Sequence, residues 1–306
     1  MISSSDKFKE ADAAFNAFRE RYGIAVPRDV AEELSRTIVL LSLARSHHQF
    51  RLEEIFPKRL FKPRASLAVE MAHKIRLLSE IGEEEPLFDL SNLLLEKFGI
   101  PVFQMSKLGH VSSGCARLAA KSCIFVADDN EIDALFNCSH QLAHVLLFHL
   151  YGREGVSLDV LSCGLGAPKP PYEHFADVFA LELLMPPRGL GIALKQIRVL
   201  LGAKFDGIGE VELLYLSRIF GVSFLAAAKR CERAKLLPPG GAIALERFMI
   251  DKFGGPEQRS LSLDLPPRVP TTITALPKLG DLQIKTRSRI SKLPGLRRSN
   301  DQSKRI

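Results

Sequence analysis

Apolar residues recur along this chain at helical steps over most of its length, broken in the middle by short runs that suit strands. Within residues 6–60, Phe8, Ala11, Phe15, Phe18 and Tyr22 stand three and four positions apart, the spacing of one amphipathic face. A second helical stretch, 28–44, follows Pro27, a residue suited to a helix start. Helical patterning returns over 65–81. Another helix is expected from Pro86 through Leu90, Leu93 and Leu94, stopping at Gly99. Segments 100–105 and 122–127 are short, apolar and partly β-branched, as strands are. Between them, 111–118 with Ser113 and Gly114 supplies a third strand or a turn.

The most apolar helix is expected over 136–150, where Leu142, Val145, Leu146 and Phe148 leave little polar surface, so it should be buried. Asn137 is placed to cap it, its side-chain oxygen accepting from a free first-turn amide. A Gly- and Pro-rich loop is expected over 151–171, then a helix over 172–185 closed by Pro186 and Pro187. Segments 211–220, 221–223 and 224–237 read as helix, tight turn, helix, ended by Pro238 and Pro239. Past about 254, six prolines mark an extended tail. The fold class expected is α+β and mostly helical. Its parts are a helical N-terminal extension (1–64), a core domain (65–205), a helix-turn-helix-like subdomain (206–240) and a basic, Pro-containing, partly disordered tail (241–306).

Composition narrows the function classes. An apolar fraction of 46% with 25% charged residues is that of a globular protein, and apolar runs such as 38–41 and 145–148 are far too short to cross a bilayer. Residues 1–15 lack the apolar stretch of a signal peptide, so a cytoplasmic location is expected. Five cysteines, an odd number with no CxxC pair, favour reduced buried thiols over a disulfide framework or a zinc ribbon. The net charge of +7 falls entirely in residues 260–306, which leaves the first 259 neutral and does not indicate a uniformly basic nucleic-acid surface.

The candidate chemistry lies in the two helices that flank the Gly/Pro-rich loop. His140 and His144 are four residues apart, so on a helix their imidazoles share a face and can converge on one ion. That pair alone is weak evidence. Glu173, at the start of the next helix, can reach across as a third ligand, which is the number a catalytic zinc needs beside one open position.

The run 136–147, Phe-Asn-Cys-Ser-His-Gln-Leu-Ala-His-Val-Leu-Leu, and the run 173–186, Glu-His-Phe-Ala-Asp-Val-Phe-Ala-Leu-Glu-Leu-Leu-Met-Pro, resemble the ImmA/IrrE family of metallopeptidases. The family shows Phe-Thr-x-Ala-His-Glu-x-Gly-His, then Glu-x-x-Ala-Asn/Asp-x-Phe-Ala-x-Glu-Leu-Leu-Met-Pro; the second block is the more specific. The likeness covers roughly 65–190, with a looser continuation to about 240. It implies a minimal zincin-like domain with a small antiparallel sheet, with Zn2+ held by His140, His144 and Glu173. It further implies a cytosolic protease that cleaves a helix-turn-helix repressor and so regulates transcription.

This chain departs from that pattern where the chemistry is most exacting. The family's glutamate, which moves protons during hydrolysis, is Gln141 here, and an amide cannot accept that proton. His149 should face away from the pair, His174 should point elsewhere on its helix, and Glu182 lies too far along it to act. Asp177, one turn past Glu173, is either a partner that orients a ligand histidine or a solvent-facing residue. Three readings stay open: a regulatory metalloprotein with weakened or absent hydrolysis, an active metallo-endopeptidase with a non-standard base, and a DNA-binding regulator using 211–237 and the basic tail. The partner expected is a protein, a repressor-like one by resemblance; nucleic acid is not favoured and a membrane is not expected.

Overall fold

The computed structural model describes residues 62–105, 111–118, 121–127, 132–153, 155–160, 170–202 and 207–267, with Ala13, Leu52 and Phe56. The expected helices of the N-terminal extension and the tail past 267 lie outside the described residues. In chain order the elements are α1 (Ala65–Leu78), α2 (Leu90–Phe98), β1 (Val102–Met105), β2 (Val111–Leu118), β3 (Lys121–Ala127), α3 (Ala134–Leu150), β4 (Gly155–Val160), α4 (Pro171–Leu184), α5 (Pro187–Leu201), α6 (Glu210–Ile219), α7 (Phe224–Arg233), α8 (Gly241–Phe253) and α9 (Pro256–Ser262). The α+β, mostly helical class expected from the sequence is the one observed. Among the described residues no single helix is long and apolar enough to cross a membrane.

The sheet has the order β1-β3-β2-β4. β2 runs antiparallel to both β3 and β4, but β1 pairs β3 in parallel, with Val102 opposite Ile124. The sheet is therefore mixed, not antiparallel as the resemblance implied. β1 joins the outer edge of β3 instead of pairing with β2, the next strand in sequence. Since β3 is already reversed relative to β2, β1 and β3 end up running the same way. β4 lies inside the segment read as a loop. It is a half-buried edge strand, and its Val156, Leu158 and Val160 do alternate with Ser157 and Asp159. It closes tightly on β2 at Gly114, where a Cβ would stand 2.5 Å from Leu158 Cδ2 and 2.9 Å from the Ser157 carbonyl oxygen.

Local chemistry sets several boundaries that periodicity misplaced. Asp89 accepts from the Asn92 amide, so α2 starts at Leu90 and not at Pro86. Gly99, at φ 63°, ends it as expected. α3 starts three residues before Asn137, whose amide already donates to Asp133 in the helical ladder, so Asn137 is not the cap. Pro187 does not merely stop α4. It opens α5, a helix absent from the sequence reading, as a first-turn proline can. The chain is also helical beyond 241, where the tail was placed: the Glu232 carboxylate accepts from the amides of Gly240 and Ala242 and so caps α8 from the end of α7.

α3 is the centre of the molecule, packed on the sheet through β2 and β3 and on α4 from the other side. Two buried arginines fix α4. Arg76 of α1 donates to the carbonyl oxygen of Leu183 at 2.7 Å, and also to those of Gly82 and Glu85. Arg230 of α7 donates to the Met185 carbonyl at 2.7 Å and pairs with Glu182 at 2.9 Å, while Arg233 reaches the same carboxylate at 3.4 Å. α6 and α7 meet at 106° through Gly221, whose φ of 64° is in the left-handed region. Cutting Arg230 to Ala leaves Glu182 buried beside a single longer contact. The expected cost is about 3–5 kcal/mol, read as a lower denaturation midpoint; a loss under about 1 kcal/mol would contradict this account of the clamp.

Candidate metal centre

The site forms where the buried α3 meets the first turn of α4. His140 and His144 lie one turn apart on α3, 1% and 5% exposed, with Nε2 atoms 3.1 Å apart. Glu173 comes from α4, its Oε2 3.1 Å from His140 Nε2 and its Oε1 3.5 Å from His144 Nε2. One ligand atom from each residue lies within 4.8 Å of the others. Two imidazole nitrogens and a carboxylate oxygen are a donor set that suits a borderline divalent ion such as zinc.

Asp177, one turn along α4, places Oδ1 3.1 Å from His140 Nδ1. A carboxylate there favours a proton on Nδ1, which turns the Nε2 lone pair toward His144 and Glu173. The Asp177 side chain is 17% exposed.

A residue that sequence reading missed also reaches His140. Asp159 of β4 holds Oδ2 3.4 Å from His140 Nε2. Its strand was hidden inside the expected loop, although the two-residue alternation over 156–160 was a usable signal. Cross-strand pairing sets Asp159 opposite Ser113 of β2, and side chains so paired share one face of the sheet.

Gln141 lies on that same side, fully buried, its Nε2 donating to Ser113 Oγ at 3.1 Å. Its Oε1 is buried with no hydrogen-bond partner among the described residues. The other candidates lie where the sequence put them. His149 turns away, with Nε2 2.9 Å from the Phe56 carbonyl oxygen. His174 is exposed, and Glu182 belongs to the arginine clamp.

Three carboxylates surrounding a buried imidazole set its protonation. Burial opposes charge on His140, yet its contacts with Asp177 and Glu173, with the charge of Asp159, outweigh this and raise its pKa to about 10. Burial raises Glu173, but the two histidines pull it well below the usual carboxylate range. In metal-free protein His140 thus keeps a proton that the unfolded chain loses near pH ~6.5. Its contribution to stability is full below that pH and is lost as pH rises toward 10. Between pH 6.5 and 8 the stability of metal-free protein should fall by up to about 1.4 kcal/mol per pH unit for this one proton. Asp177→Asn should flatten that slope; an unchanged slope in denaturant melts would contradict the assigned cause.

The match to a known family covers this geometry. Residues 95–232 match the IrrE N-terminal-like domain. The matched stretch runs from the end of α2 to the end of α7, and so takes in the α6–α7 pair that the sequence reading set apart. No curated protein matches the chain. With its histidine pair and glutamate on adjoining helices, the stretch 95–232 belongs to the ImmA/IrrE family of metallopeptidase-like domains.

Proposed function

We propose that this protein is a regulatory ImmA/IrrE-type metalloprotein in which His140, His144 and Glu173 hold zinc and Asp177 orients His140. Peptide hydrolysis is weak or absent because Gln141 replaces the general base. The observation that carries this reading is the environment of Gln141. It occupies the buried position beside the ligand histidines, yet presents a neutral amide bonded to Ser113. A metal at the three ligands would supply Lewis acidity for hydrolysis. The chain's own part, accepting and returning the proton, has no carboxylate at that position, a loss worth on the order of 10²- to 10⁴-fold in rate. The protein then acts by binding, with a repressor-like helix-turn-helix protein as the partner the family resemblance suggests, in the cytoplasm.

The reading as a DNA-binding regulator draws less support. α6 and α7 cross at an angle suited to a helix-turn-helix, but Arg230 and Arg233 of the second helix are engaged with Glu182. We assign this pair to packing against α4.

Purified wild-type protein should carry close to one zinc per chain, and His140→Ala should lose it while keeping its helical circular dichroism. A metal-free wild type would sink this reading. Gln141→Glu, assayed on a candidate repressor, should raise cleavage by about 10²-fold or more over wild type. If the wild type cuts as fast as that variant, it is an active peptidase with another base, and the pseudoenzyme assignment is wrong.

A further inference from the structure

We propose that the groove between α5 and the C-terminal end of α7 is a docking site for a protein partner, filled by an acidic amphipathic helix. This rests on the reading above that the chain acts by binding a protein, and it does not depend on the metal.

The groove has a volume of about 710 Å³. Its apolar lining comes from Pro187, Leu190, Leu194 and Val199 of α5 and from Leu236 beyond α7. The apolar surface continues past the groove at the end of α5, where Val199 and Leu200 are 77% and 68% exposed. Large apolar side chains that gather in a concave place and stay in water mark a surface built for another molecule.

The two glycines of α5 separate what packing requires from what the groove requires. At Gly189 a Cβ would stand 3.2 Å from the Glu84 carbonyl oxygen, so the chain's own backbone explains that glycine. Gly191, two residues along, lines the groove, and a Cβ there would meet nothing within 4 Å. A glycine inside a helix weakens it relative to alanine, and no described neighbour needs the space. The missing side chain leaves room for a partner to lie close against the backbone of α5.

Charge selects the occupant. Lys195, Arg198 and Arg230 line the groove, and no carboxylate does. Arg230 is paired with Glu182 and Arg198 with Glu212. Lys195 is exposed, and among the described residues no carboxylate pairs with it. Lys235, exposed at φ 61°, follows the lining residue Ala234. An apolar floor with free cations at its rim fits a helix that carries apolar side chains on one face and carboxylates beside them. The chain's own tail has the wrong sign, with ten Lys or Arg against three Asp over 260–306. A second copy meeting this face across a two-fold axis would set like charges together. A bilayer is too flat to fill a groove between helices.

The test titrates the full chain with two labelled synthetic peptides. One carries leucine at helical steps and glutamate elsewhere; the other has lysine for every glutamate. The acidic peptide should bind about 10-fold or more tightly than the basic one, and more weakly as salt rises. Lys195→Glu should lower its affinity by about 10-fold. Gly191→Leu should abolish binding while unfolding at or above the wild-type midpoint, because it fills the groove and strengthens the helix. Equal binding of the two peptides, binding that survives both substitutions, or no binding of either would overturn the proposal. So would a wild-type dimer that Gly191→Leu dissociates, which assigns the groove to a second copy. Sedimentation with phosphatidylserine vesicles that Gly191→Leu abolishes would assign it to a membrane and overturn the proposal too. Zinc content measured on the same samples keeps the two readings apart: loss of peptide binding with zinc retained overturns only the groove.

Discussion

A buried imidazole ringed by carboxylates is the constraint on which the rest of the molecule turns. His140 is almost wholly shielded from solvent, yet Glu173, Asp177 and Asp159 approach it from two other elements. Like charges gathered in a shielded place repel, and they persist only where a cation or proton sits among them. α3 must therefore be buried enough to present His140, and α4 must be held firmly enough to bring two of its residues against it. β4 must close on β2 for Asp159 to arrive at all.

The parts of the fold remote from the histidines read as support for that constraint. Arg76 and Arg230 bond to backbone carbonyls at the C-terminal end of α4, and the Glu182–Arg230 pair ties α7 to the same helix. An ion pair this deeply buried adds little net stability, because desolvation offsets the attraction. Its effect is positional: it fixes the axis of the helix whose other end carries Glu173 and Asp177. The resemblance in sequence is tightest along 173–186, where Glu173, Asp177 and the clamped Glu182 follow one another on one helix.

The legible parts of the chain were those with a local cause. α3 and α4 announced themselves by apolar periodicity, the Gly99 stop and the Gly221 turn by their glycines, and the His140–His144–Glu173 set by spacing and a motif. What escaped depended on partners distant in sequence. β4 is an edge strand whose two-residue alternation is short and sits among glycines and prolines, so its pairing with β2 is what makes it a strand. Asp159 was invisible for the same reason. α8 is capped by Glu232 from another helix, and the parallel pairing of β1 is a matter of topology that no local pattern carries. α5 was lost because a proline pair reads equally well as a stop and as a start.

The departure at Gln141 gives this domain its interest. The fold brings His140, His144 and Glu173 together, while the neighbouring Gln141 is held as an amide against Ser113. The most direct test of the central claim is anomalous diffraction from crystals of the zinc-loaded protein, recorded on both sides of the zinc absorption edge. The account predicts one strong peak bonded to His140 Nε2, His144 Nε2 and a Glu173 carboxylate oxygen. A peak bound elsewhere, or none between these three side chains, would contradict it.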